Sequence, residues 1–253
     1  MALANERLGE TNQNNSGETM EIVEYHNSTN TVVMFEDGTK VRASYGSFKK
    51  GSVSNPKSKS ICGIGYRGEK NDKTVDTCMR NKAFGVWNHM ISRCYGDMQH
   101  KYYQAYKDCS VCDEWHNSQN FIRWYSENYY DVGSEKICLD KDILVKNNRI
   151  YGPQTCLIVP NRVNCLFAKA SKIRGELPIG VSKDNRNGRY VAHITEGSAS
   201  HRFLGYFTTP EEAFLAYKTA KEAYVKQVAD EYKNKIPQKL YDALYVYEVE
   251  ITD

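Results

Sequence analysis

Residues 137–167, ICLDKDILVKNNRIYGPQTCLIVPNRVNCLF, decide how the middle of the chain is read. The run KICLDKDIL (136–144) has strand character, KNNRIYGP (146–153) is a polar turn, and TCLIVP (155–160) resumes an apolar strand. From Asn161 onward Val163, Leu166 and Phe167 share one helical face. The order is therefore strand, polar loop, strand, helix.

Working towards the N-terminus, Trp87, Met90, Ile91 and Cys94 recur at i, i+3, i+4 and i+7, which predicts a helix. A second helix fits 118–130 with Phe121, Ile122, Trp124 and Tyr125 inward, and the aromatic segment 100–115 between them is irregular. Ahead of a Gly-rich connector (62–71), the runs MEIVEY (20–25), TVVMFEDG (31–38) and KVRASY (40–45) alternate apolar and polar residues, with Asp37-Gly38 as a hairpin turn.

Towards the C-terminus, IGVSK (179–183), RYVAHIT (189–195) and HRFLGYF (201–207) predict a three-stranded antiparallel sheet, its turns built on Asn187-Gly188 and Gly197-Ser198. Thr209-Pro210-Glu211-Glu212 opens a helix with an N-cap, a proline at its first position and two acids in the first turn. Alternation turns Tyr190, Ala192 and Ile194 towards that helix, with Leu204 and Tyr206 inward on the third strand. Arg189, His193, Thr195, His201 and Phe203 are left on the outer face, flanked by Lys183, Arg186 and Arg202. The final segment reads as a short helix followed by a terminal strand. The whole predicts an α+β, modular chain: a small β module over 1–60, a central domain over 61–176, and a sheet-plus-helix domain with an extension over 177–253.

The 253 residues carry 34 Lys+Arg against 31 Asp+Glu, a net charge of +3 that by itself points to no partner. Its distribution says more: residues 160–207 hold eight basic and three acidic groups, the footprint expected of a nucleic-acid contact. No stretch approaches the roughly 20 apolar residues of a membrane span, and the N-terminus lacks an apolar signal region, so cytoplasmic placement with reduced cysteines is expected. Cys109-x-x-Cys112 with His116, and Cys94 or Cys138 as a fourth ligand, has zinc-compatible spacing, but no second pair matches it. His26, His89 and His100 form no triad with a nucleophile.

Two family resemblances sharpen these expectations. The run GVSKDNRNGRYVAHITEGSASHRFLGYFTTPEEAFLAYKTA resembles the AP2-type DNA-binding domain of plant transcription factors and mobile-element endonucleases, over about residues 178–230. The resemblance implies a sheet that reads the major groove of double-stranded DNA, its base-facing positions being Ser182, His193, Thr195, His201 and Phe203. Residues 137–167 resemble the HNH, or ββα-metal, region of phage and intron-encoded homing endonucleases. The aromatic, Cys-containing run before it and the leading β module are similar to parts of phage proteins of Gram-positive hosts.

That second resemblance implies a metal-dependent hydrolase that nicks or cleaves duplex DNA. Asp140 and Asn164 (or Asn161) would hold Mg²⁺ or Mn²⁺, and Asn147 or Asn148 would be the loop asparagine. The family places a histidine after the strand acid as general base, and Lys141 stands there. An ordinary lysine is protonated at neutral pH and accepts no proton unless it is desolvated or crowded by other cations; Asp142 could serve instead, as could metal-bound hydroxide with an acid alone. The competing expectation is a phage factor that binds DNA or a host protein without cutting, as a regulator or an antagonist of a host defence such as CRISPR.

Overall fold

The computed structural model describes residues 6–69, 74–97, 106–167, 176–197 and 200–251. Lys169, Lys172 and Arg174 of the basic stretch, and His100, Tyr102, Tyr103 and Ser198, lie outside them. The chain forms two compact units, residues 1–126 and 127–253. The division thus falls inside the block expected over 61–176, not at its ends. Helix and sheet are mixed in both units, in keeping with an α+β class. Among the described residues no helix is long and apolar enough to cross a membrane, and all eight cysteines are free thiols.

The first unit opens on an antiparallel meander of β1 (Thr11–Gln13), β2 (Thr19–Asn27), β3 (Asn30–Phe35) and β4 (Lys40–Ala43), hydrogen-bonded in that order. At its tight turn Gly38 has φ 79° and the Asp37 carboxylate accepts from the Thr39 amide at 2.9 Å. Met20, Ile22, Val33 and Phe35 meet Phe48 of the short helix α1 (Tyr45–Lys49) in one core. β1 has no counterpart in the sequence reading, because three polar residues show no alternation.

Helix α2 (Thr77–Tyr95) starts at Asp76, whose carboxylate accepts from two first-turn amides, and it buries Ala83, Trp87, Met90, Ile91 and Cys94. After the short β5 (Ser110–Val111), α3 (Ser118–Asn128) buries Phe121, Ile122 and Tyr125. Trp87 Nε1 donates to the Trp115 carbonyl at 2.6 Å, and Trp115 meets Phe121 edge-on with centroids 4.9 Å apart.

In the second unit β6 (Ile137–Asp140) pairs antiparallel with β8 (Leu157–Pro160), Asp140 standing opposite Leu157. The connecting loop carries the two-residue β7 (Ile150–Tyr151), and α4 (Asn161–Leu166) follows β8 at once and packs on both paired strands. The strand–loop–strand–helix order read from the sequence is the order observed. A second sheet has β10 (Tyr190–Glu196) between β9 (Val181–Lys183) and β11 (Ser200–Phe207), all antiparallel.

The long helix α5 (Pro210–Tyr232) lies against this sheet. Its start is a capping box: Thr209 Oγ1 accepts from the Glu212 amide at 3.2 Å while the Glu212 carboxylate accepts from the Thr209 amide at 3.3 Å. Helix α6 (Gln238–Tyr245) follows. The expected terminal strand is absent among the described residues. There Val249 is held by side chains of α5, its amide donating to Glu222 and its carbonyl accepting from Lys218, both at 2.8 Å.

Both sheets feed one apolar core. Val159, Val163 and Leu166 from the ββα segment belong to the same cluster as Val181, Ala192 and Ile194 from the second sheet and Phe214, Val225 and Val228 from α5. The approach of α5 to β9 sets a tight condition at Gly180: its φ is +75°, and a Cβ there would stand 2.0 Å from Tyr217 Cδ2. At Gly188, φ +71°, a Cβ would meet nothing within 4 Å. Gly180→Ala is expected to cost roughly 2–5 kcal/mol, from overpacking plus the left-handed penalty, whereas Gly188→Ala carries only the penalty of about 1–2 kcal/mol. Denaturant unfolding of the two variants measures the difference; equal losses would contradict it.

Candidate functional site

Asp140 closes β6, and the chain turns over its side chain. Oδ1 accepts from the amides of Asp142 and Ile143, both at 2.8 Å, which fixes the carboxylate at the mouth of the loop. Loss of water around this half-buried group pushes its pKa above the ordinary carboxylate value, and the charge of Asp142 adds to that. The two amide donors and Lys141 pull the other way without prevailing. Among the described residues Oδ2 has no protein donor, so it is the atom of this carboxylate open to a ligand.

Lys141 points elsewhere. Its side chain is buried, with 8% of the residue exposed, and Nζ reaches both oxygens of Asp142 at 2.8 Å and the Asn148 carbonyl at 2.6 Å. The ring centroid of Tyr151 is 5.9 Å away. An ammonium whose three protons are directed at these acceptors is a structural cation. Lys141, standing where the family's general base is expected, thus spends its donors inside the loop. Asp142, half of whose side chain faces solvent, is the second carboxylate at the mouth of the loop.

Of the two loop asparagines, Asn148 is the one that organises the loop. Its Nδ2 donates to the carbonyls of Lys141 at 2.9 Å and Ile150 at 2.7 Å, and its Oδ1 accepts from the Ile150 amide at 3.1 Å. Asn147 supplies the left-handed residue that turns the chain, φ 57°. Asn148 thus positions the backbone of Lys141 and is a positioning residue. On α4, Asn164 is half-buried and its side-chain amide has no partner among the described residues, whereas the Asn161 side chain lies near the thiols of Cys138 (3.5 Å) and Cys165 (3.7 Å). Carboxylate and amide oxygens such as those of Asp140 and Asn164 are of the hard type that Mg²⁺ and Mn²⁺ prefer.

The zinc-compatible spacing leads to a different environment. Cys109 is buried and Cys112 half-buried. Burial pushes the Cys112 thiol up, which disfavours the thiolate that a metal binds. His116 faces the Val111 carbonyl at 3.1 Å and Asp113 at 3.7 Å. Among the described residues no three His, Cys, Asp or Glu side chains converge to hold a metal.

On the outer face of the second sheet, Thr195 stands opposite His201 and His193 opposite Phe203. Thr195 Oγ1 lies 3.1 Å from His201 Nδ1, and the two imidazole centroids are 6.4 Å apart. A shift of register between Ala192 and His193 accommodates one extra residue, Leu204, in β11. The shift changes the parity of the strand. Tyr206, expected inward, is 46% exposed opposite Val191 and meets Phe203, itself 56% exposed, with ring centroids 5.2 Å apart. Gly205, at φ +142° inside a strand, is the sequence signal that could have revealed it.

The cations around this face are unequal. Arg186 forks onto Asp184 at 3.0 and 3.1 Å, and Arg202 is paired with Glu196 at 2.6 Å. Lys183 is exposed, its ammonium 5.9 Å from the Tyr190 ring. Arg162, also within the basic stretch, is paired with Glu231. Arg189 is exposed, and its guanidinium has no acidic partner among the described residues. The concentration of basic residues in 160–207 therefore overstates the charge left for an external partner.

Comparison with known proteins finds no matching family model, no matching curated protein and no matching solved structure.

Because the folded-state pKa of Asp140 is raised, its ionisation opposes folding, and the cost appears as pH rises through that pKa. Asp140→Asn keeps an oxygen for the Asp142 and Ile143 amides but removes the charge. The variant is expected to melt above the native protein at pH 7–8, with the gap closing as pH falls through the carboxylate range. A native protein that melts higher at pH 8 would contradict this.

Proposed function

We propose that the chain is a double-stranded-DNA-binding protein of the ββα-metal type, in which the β6–β8–α4 segment nicks or cleaves the DNA and the β9–β10–β11 face contacts it. The observation that carries this reading is the placement of Asp140 at the end of β6, at the mouth of a loop clamped by Asn148, with the partner strand β8 running directly into the helix that bears Asn164.

A divalent ion bound by Asp140 and Asn164 would supply Lewis-acid stabilisation of the phosphodiester and its leaving oxygen. The chain's own residues do the rest. Asn148 fixes the loop backbone, Lys141 holds the Asp142 carboxylate by both oxygens, and Asp142 accepts the proton of the attacking water. For the sheet, strand spacings of about 4.8 Å put the outer strands roughly 10 Å apart, within a major groove about 12 Å wide. His193, Thr195 and His201 offer polar atoms to base edges, and Phe203 and Tyr206 offer apolar surface of the kind that meets thymine methyls. Arg189 is the leading phosphate contact, with Lys183 beside it and Arg186 and Arg202 held in internal pairs.

A second reading is favoured by one specific observation, the internal engagement of Lys141 where an imidazole base is expected. Under it the same frame binds DNA, or a host protein, without cutting.

Supercoiled plasmid incubated with Mg²⁺ or Mn²⁺ separates the two. The endonuclease reading expects nicked or linear product from the native protein, and a loss of about 100-fold or more in Asp140→Ala and Asn164→Ala with DNA binding retained. Native protein that binds DNA but leaves the plasmid intact with both ions would sink it in favour of the second. For the sheet, fluorescence anisotropy with duplex DNA expects Arg189→Ala to lower the slope of log K against log salt by about one. Phe203→Ala with Tyr206→Ala should weaken binding at unchanged slope; unaltered binding in both variants would remove the sheet from the interface.

A further inference from the structure

A groove in the first unit carries chemistry that neither the sheet nor the ββα segment uses. Lys40 and Arg42 are two residues apart on the edge strand β4, so they share one face of the meander, and both are exposed. Across from them the connector contributes the hydroxyls of Ser54, Ser58 and Ser60 and the exposed guanidinium of Arg67. Together they line a cavity of about 630 Å³, within the range of ligand sites.

Its electrostatics are asymmetric. Lys40, Arg42 and Arg67 have no acidic partner among the described residues. The lining cations outnumber its two acids: the oxygens of Glu18, still charged, accept from the side-chain amides of Asn14 at 2.8 Å and Asn55 at 3.4 Å, and Glu69 has an interaction of its own. What remains open to a ligand is a set of hydrogen-bond donors and three cations, which matches the oxygens of a phosphate ester. The described lining includes no aromatic ring on which a base could stack. The match is therefore to the phosphate backbone.

We infer that this groove is a second phosphodiester-binding site, seating the backbone of a DNA strand independently of base sequence. It stands on residues of the first unit alone and extends the DNA-binding reading without using the sheet.

The test uses the full chain and a fluorescent duplex. Lys40→Ala/Arg42→Ala/Arg67→Ala is expected to weaken binding about ten-fold or more at low salt and to lower the salt slope by about two to three. These side chains are exposed, so an unchanged melting temperature checks the fold. Ser58→Asp, which adds negative charge and leaves every cation in place, should also weaken binding. Photo-crosslinking followed by peptide mapping keeps the two sites apart: adducts in residues 40–69 support the groove, and adducts in 182–206 support the sheet. Native affinity and slope in both groove variants, with crosslinks only in 182–206, would overturn the groove and leave the sheet standing. If inorganic phosphate raises the melting temperature of the native protein but not of the triple variant while DNA affinity is untouched, the occupant is a small phosphorylated ligand and the strand-binding inference fails.

Discussion

Burial of α5 and of the ββα segment in one continuous apolar core is the constraint on which the second unit depends. Phe214, Val225 and Val228 of the helix, Val159 and Val163 of the ββα segment, and Ala192 and Ile194 of the sheet belong to that core. Polar contacts pin the same junction. The Glu135 carboxylate accepts from the Arg162 amide at the start of α4 and from the Tyr232 hydroxyl at the end of α5, and Arg162 pairs with Glu231. Apolar burial drives the association without direction, while these contacts select one orientation. The candidate metal acid and the candidate DNA face are thus carried on one apolar core.

The loop between β6 and β8 shows how such a frame stores its chemistry. Asp140, Lys141, Asp142 and Asn148 form a closed exchange of hydrogen bonds in which each side chain holds another's backbone or charge. A carboxylate kept at raised pKa at the loop mouth is a cost to folding, of the kind that accumulates at functional sites. Lys141 compensates for Asp142, not for Asp140 alone, which explains why a lysine is tolerated at a position with so little access to water.

Much of this was legible in the sequence. The i, i+3, i+4, i+7 spacing of Trp87, Met90, Ile91 and Cys94 located a helix whose inward face includes those residues, and Thr209-Pro210-Glu211-Glu212 located the N-cap and first turn of α5 to the residue, though not the reciprocal capping bond. The strand–loop–strand–helix order of 137–167 was also readable. What escaped notice depends on tertiary geometry. Alternation assigned Tyr206 inward because parity counting assumes no bulge, and the extra residue at Leu204 inverts it. Charge counting took Arg186, Arg202 and Arg162 as a footprint, since ion pairs with Asp184, Glu196 and Glu231 are invisible to composition. The terminal segment alternated like a strand but meets the side chains of α5 instead of a strand edge. Lys141 was singled out by its position, and only the fold reveals that its protons are already directed at Asp142 and Asn148.

If one core supports both the ββα segment and the β9–β10–β11 sheet, they unfold together. Native-state hydrogen exchange at rising denaturant measures this directly. The account predicts that the hydrogen-bonded amides of the β6–β8 pair and those of the β10–β11 pair open at a common free energy and with a common denaturant dependence. Exchange in which the β6–β8 amides open several kcal/mol below an intact β10–β11 sheet would contradict it and make the two parts separate domains.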